Sequence, residues 1–99
     1  MKGHVDLLLL STLRRGPLHG YGVVEQLRGV SNGAFDLAEG TVYPALYRLE
    51  AAGLLTSRWT KESGRRRRLY ELTKRGRAEL ARERDEWKAF AHAVDAVLL

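Results

Sequence analysis

The chain has 99 residues, 44% of them hydrophobic, and no cysteine; 17 basic against 12 acidic residues give a formal charge of +5 and a pI of about 10.0. That length holds one domain, the apolar share is too high for a disordered chain, and the lack of thiols excludes disulfides, thiolate metal sites and cysteine nucleophiles. The basic excess favours a polyanionic partner, nucleic acid or an acidic membrane surface, and a thiol-free chain suits the cytoplasm.

The first helix is expected from about Gly3 to Arg15, with Leu7, Leu8, Leu9, Leu10 and Leu13 covering most of its circumference. An all-round apolar helix is buried on more than one side. The Leu7–Leu10 run is too short to span a bilayer, and no small-residue cleavage site follows it, so no membrane segment or leader is read here. Gly16 and Pro17 end the helix. The second helix runs from His19 to Val30, where Val23, Val24, Leu27 and Val30 repeat at helical spacing. Gly29, Ser31, Asn32 and Gly33 break it, and Phe35 and Leu37 lie in a short loop or strand.

The third helix starts near Glu39 to Thr41 and reaches about Ala52, with Thr41 expected as N-cap and Pro44 in the first turn, where a missing N–H costs nothing. Val42, Ala45, Leu46, Leu49 and Ala52 form its inward face, and Gly53 sits where a left-handed C-terminal cap belongs. Leu54–Lys61 and Arg67–Leu72 read as two strands joined through Ser63-Gly64. The apolar strand positions are Leu55, Trp59 and Leu69, with Tyr70 and Leu72; Trp59 is expected to pack in the hairpin. Thr73 caps a last helix reaching about Leu98, whose first turn Gly76 weakens by roughly 1 kcal/mol relative to Ala. The fold class is therefore mainly α with a two-stranded β-hairpin. A winged helix-turn-helix over residues 1–73 is followed by a long C-terminal dimerisation helix over 74–99.

Three constellations bear on function. The outward side of the third helix carries Thr41, Tyr43, Tyr47 and Arg48, hydroxyls and a guanidinium suited to phosphates and base edges in a major groove. Nine of the 17 basic residues fall between Arg58 and Arg77, four of them consecutive at the expected hairpin tip, Arg65, Arg66, Arg67 and Arg68. Such a tip suits phosphates or a minor groove. Strand alternation lets Arg65 and Arg67 face DNA while Arg66 and Arg68 cover the sheet, or the reverse. Along the last helix Leu80, Trp87 and Val94 stand seven apart, with Ala91, Val97 and Leu98 in the same stripe. About 25 residues of helix extend roughly 38 Å, longer than the winged core needs, and a free apolar stripe of that length points to a homodimer with the first helix beneath it. Trp87 is either a packing residue there or a flat aromatic wall for a planar ligand, with Arg84 and Lys88 beside it.

Catalysis finds no support. His4, His19 and His92 are expected on three separate helices, Ser11, Ser31, Ser57 and Ser63 lack a nucleophile signature, and no strand is expected ahead of Gly20 and Gly22. No catalytic residue, metal or cofactor is expected. A winged-helix module for protein–protein contact is the alternative, followed by a peripheral membrane protein and an RNA-binding protein; the first would not need four tip arginines.

Four motifs in chain order resemble the PadR family of bacterial transcriptional regulators. They are Gly16-Pro17-Leu18-His19-Gly20-Tyr21-Gly22, the stretch Glu39 to Glu50, Gly53-Leu54-Leu55, and Gly64 to Thr73 followed by Gly76. The resemblance implies a dimeric winged-helix repressor acting on double-stranded DNA with a twofold operator, and release by a small effector. The implied DNA-binding set is Tyr21, Thr41, Tyr43, Pro44, Tyr47, Arg48 and Arg65 to Arg68. The dimer interface is placed at Leu8, Leu80, Trp87, Ala91, Val94 and Leu98. The chain is similar to the short, single-C-terminal-helix form, in whose multidrug-sensing members a tryptophan at the place of Trp87 lines a ligand pore. Leu7 and Ser11 would face it, implying a planar hydrophobic effector.

Overall fold

Local chemistry sets most boundaries in the computed structural model, which describes residues 4–99. In chain order these residues form α1 (His4–Thr12), β1 (Leu18–His19), α2 (Gly20–Val30), α3 (Glu39–Ala51), β2 (Leu55–Glu62), β3 (Arg65–Leu72) and α4 (Lys74–Leu98). The expected start of the first helix at Gly3 lies outside the described residues. Its end comes earlier than Arg15: Leu13, Arg14 and Gly16 donate to carbonyls three residues back, so the last turn tightens and closes.

His19 is the N-cap of α2, its Nδ1 accepting from the Gly22 N–H at 3.1 Å. Val23, Val24 and Leu27 are buried, but Val30, expected on the same face, is 70% exposed because the helix ends there beyond its neighbours. The α3 start corrects two expectations. Ala38, with extended backbone and no side-chain bond, is the N-cap, and Thr41 is the third helical residue. Pro44 therefore lies past the first turn, and the Gly40 carbonyl receives no i→i−4 donor. The other end follows expectation: Gly53 adopts φ +81°, Leu54 N–H donates to Leu49 and Gly53 N–H to Glu50, closing a Schellman cap.

Ser63 and Gly64 both take positive φ, 50° and 79°, the tight turn whose twist suits a two-residue hairpin. β3 consequently begins at Arg65, and all four arginines are strand residues paired with β2 rather than a loose tip: Glu62 faces Arg65, Lys61 Arg66, Thr60 Arg67 and Trp59 Arg68. A short third strand also joins the hairpin. β1 lies against β3, with Leu18 opposite Tyr70 and His19 opposite Leu69, giving the sheet order β1-β3-β2.

One apolar cluster unites the elements. Leu9, Leu10 and Leu13 meet Val23 and Val24 of α2, Val42, Leu46 and Leu49 of α3, and Leu55, Tyr70 and Leu72 of the sheet. Leu80 of α4 belongs to this cluster at 5% exposure. It is core rather than a seam residue available to a partner, because the first turns of α4 lie over the winged core. Gly76 is required there: a Cβ would overlap the Leu54 carbonyl oxygen. The rest of α4 runs past α1, which stretches the chain to 54 × 29 × 22 Å.

Candidate nucleic-acid interface

α3 buries Val42, Ala45, Leu46 and Leu49, so at 3.6 residues per turn its opposite side carries Gly40, Pro44, Tyr47 and Ala51. Tyr43 flanks that ridge on the sheet side, and Thr41 and Arg48 flank it on the other. Tyr47 is 54% exposed, and its ring lies 6.3 Å from that of Tyr43. Tyr43 is half-buried over α2, where a Cβ on Gly20 would enter its ring, so a side chain at position 20 would push the ring out of this seat. Burial, then Glu39 and Tyr47, raise the Tyr43 pKa against a hydrogen bond from the Tyr21 backbone and the field of Arg67. The phenol therefore stays protonated at neutral pH. Tyr21 itself is 45% exposed at the rim.

Arg48 has an intramolecular partner. Its Nη1 and Nη2 donate to the two carboxylate oxygens of Asp6 at 2.8 and 2.7 Å, tying α3 to α1. Asp6 raises the Arg48 pKa further, first through that hydrogen bond.

Strand register sorts the arginines. Arg66 and Arg68 share the face of Trp59, Ser57 and Tyr70; Arg65 and Arg67 share the other face with Leu69 and His19. Trp59 packs on the hairpin, as expected, but outside the core at 56% exposure. The guanidinium carbons of Arg66 and Arg68 lie 4.7 and 5.5 Å from its ring centroid, cation–π geometry that holds both charges at the surface. Arg68 is also tied to α3. Its Nε donates to Ser57 Oγ at 2.7 Å, Ser57 donates to Glu50 Oε2 at 2.6 Å, and Arg68 Nη2 lies 3.5 Å from Glu50 Oε1. Arg67 Nη1 lies 2.8 Å from His19 Nε2.

The result is a groove of about 700 Å³ between α3 and the hairpin, lined by His19, Tyr21, Glu39, Tyr43, Tyr47, Trp59, Arg65 to Arg68 and Tyr70. Four guanidiniums against one carboxylate give it a positive field. Tyr70 lies at its floor with a hydroxyl that is buried without a partner, and burial pushes its pKa up to about 12. Sequence reading placed neither Trp59 in this groove nor Glu50 behind Arg68, and took His19 only as the start of the second helix. Trp59, four positions before Ser63, and His19, three before the Gly22 that it caps, each carried a local signal; the Glu50 tie did not.

On α4, Trp87 is 40% exposed, edge-on to His4 at 5.5 Å and 5.8 Å from Phe90. Phe90, Val97 and Leu98 are exposed by 53%, 75% or more, and line a shallow hollow of about 260 Å³ with Ala93 and Val94. Phe90, seven before Val97, was not among the expected seam residues. Ala91 and Val94 are half-buried. Leu8 and Ser11 face a different place, a groove of about 450 Å³ between α1 and α2 that also takes in Val30 and Phe35. Leu7 packs against the core. Within one protomer Ser11 and Trp87 therefore line separate surfaces. Among the described residues no helix is long and apolar enough to cross a membrane, and no group of three or more His, Asp or Glu is placed to hold a metal ion.

The sequence profile of the transcriptional regulator PadR-like family matches residues 9–82. A transcriptional regulator of Mycobacterium tuberculosis is 37% identical over 90 residues, which cover 91% of this chain and 81% of the relative. The crystal structure of a PadR family transcription regulator from Clostridium difficile superposes with a TM-score of 0.86 at 33% identity, over 98% of this chain and all of that one, 100%. Bacillus subtilis PadR, solved in complex with operator DNA, superposes with a TM-score of 0.72 at 27% identity, over 78% of this chain and 44% of that one.

Proposed function

The chain belongs to the PadR-like family of transcriptional regulators, and on that premise we propose that it binds operator DNA as a homodimer and represses transcription. The observation that carries this reading is the groove lined by Tyr43 and Tyr47 of α3 and by the four hairpin arginines, Arg66 and Arg68 on the sheet face of Trp59 and Arg65 and Arg67 on the other. The α3 ridge enters a major groove, where the small Gly40 and Ala51 permit close approach and Tyr47 reaches base edges. Arg65 to Arg68 neutralise flanking phosphates. The B. subtilis PadR structure, solved with operator DNA, supports the same use of this fold.

Residues 1–73 act as the DNA-binding unit and 74–99 as the dimerisation helix. Trp87, Phe90, Val94, Val97 and Leu98 form its exposed apolar stripe, which a second copy would cover. A planar hydrophobic effector would stack on the open face of Trp87 between subunits and change the spacing of the two α3 helices. Asp6 takes two of the five N–H donors of the half-exposed Arg48 and holds it toward α1, so its full reach to DNA comes on leaving Asp6.

The test is titration of a mixed-sequence DNA duplex, beside anionic vesicles and duplex RNA, with wild type and a variant in which Arg65 to Arg68 are replaced by serine. Tight duplex DNA binding that the variant loses is expected. Equal affinity for duplex DNA by both proteins would instead favour a protein–protein module, and preference for vesicles or RNA would reassign the partner.

A further inference from the structure

His19 makes two contacts that no neutral imidazole can satisfy together. Gly22 N–H donates to its Nδ1 at 3.1 Å, and the Arg67 guanidinium reaches its Nε2 at 2.8 Å. Both partners are donors, and a guanidinium has no acceptor and keeps its protons. A neutral imidazole offers one acceptor and one N–H. The Gly22 bond is the N-cap of α2, fixed by an amide that has no other carbonyl in reach at a helix start. Nδ1 is therefore the acceptor, and Nε2 carries the proton. That N–H then points at a guanidinium N–H across the mouth of the α3–hairpin groove. Two donors facing each other at 2.8 Å repel, and an anionic oxygen that accepts from both as the Arg67 guanidinium turns aside relieves the clash and answers its charge as well.

We propose that His19 and Arg67 together seat one phosphodiester of the DNA backbone, with His19 donating through Nε2–H and Arg67 through its guanidinium. The proposal rests on the DNA-binding reading above. The site is built rather than incidental. His19 is held by its cap and by the pairing of β1 with β3, and the Arg67 backbone is held by the Thr60 hydroxyl, which donates to its carbonyl at 3.2 Å. The protonated Tyr43 phenol lies in the same groove, close enough to Arg67 to feel its charge. The seat joins α2 to the wing, so one phosphate fixes both relative to α3. That is a register function, distinct from reading bases.

Two measurements test it. In the free protein, nitrogen–proton correlation NMR of the imidazole reads which ring nitrogen is protonated. Nε2–H is expected, and an Nδ1–H tautomer would overturn the proposal. The second is titration of a mixed-sequence DNA duplex with His19→Asn and Arg67→Gln. Asparagine still caps a helix but is too short to reach the seat. His19→Asn should weaken duplex binding about tenfold, the size of a hydrogen bond to a charged group, with the salt dependence unchanged. Arg67→Gln should weaken it and flatten the slope of log K against log salt by about 0.9. A folded His19→Asn protein that binds as tightly as a duplex-binding wild type overturns this seat alone. Wild type that ignores duplex DNA overturns both readings. Inorganic phosphate shifting the Nε2 resonance as strongly as duplex, at equal concentration, would overturn the assignment to the DNA backbone.

Discussion

Arg48 on the DNA-facing helix and Asp6 on α1 form a bidentate ion pair at 2.8 and 2.7 Å, across 42 positions of sequence. The pair competes with any phosphate for the same guanidinium. Asp6→Asn should release Arg48 and tighten duplex binding several-fold. The loss in stability should stay under about 1 kcal/mol, because the arginine side chain is 58% exposed. Duplex titration beside a thermal melt checks both; weaker binding at unchanged stability would mean that Arg48 acts through its tie to α1.

Gly76 tests packing against propensity. Alanine would gain roughly 1 kcal/mol of intrinsic helix stability. The added Cβ, however, meets the Leu54 carbonyl oxygen, which is backbone and cannot swing aside. Gly76→Ala is expected to destabilise the chain by about 1–3 kcal/mol, read as a lower melting temperature.

Two apolar positions on α4 should separate cleanly. Leu80→Ala removes a core side chain and should cost about 2–5 kcal/mol of stability. Phe90→Asp changes a residue 53% exposed and should leave the fold of the protomer intact. Its expected effect is on association: sedimentation should show dimer for wild type and monomer for Phe90→Asp.

Glu83 supplies a pH signature. Burial, then the charges of Glu79 and Asp6, raise its pKa above the ordinary carboxylate value. The folded state therefore binds the proton more tightly than the unfolded one, and stability falls as pH rises through the window between the two values. Glu83→Gln should melt higher than wild type at neutral pH, and the difference should vanish once the pH lies below the ordinary carboxylate range. Melting curves over acid to neutral pH read this directly.

Helix ends were legible wherever a residue type forces the backbone. Gly53 at positive φ, Thr73 accepting from Gly76 N–H, and the Ser63-Gly64 turn each act within three or four residues. The α3 start was not, because Ala38 caps with backbone geometry alone while Thr41 carries the side chain that pattern favours. β1 is two residues long, too short to show a period, and exists only because β3 offers it an edge. The groove was half legible. A run of arginines announces charge, but their strand pairing, the Trp59 stack, and the Glu50–Ser57–Arg68 and His19–Arg67 contacts depend on partners up to 48 positions away. Leu80 looked like seam because its heptad spacing to Trp87 is right; the tertiary position of the α4 start put it in the core.

Selection of bound duplexes from a random pool tests the central claim most directly. The account predicts enrichment of an inverted repeat whose half-sites are spaced by about one helical turn or a multiple of it, matching two α3 helices related by a twofold axis. Enrichment of no motif, or of a single asymmetric site bound by one chain, would contradict it.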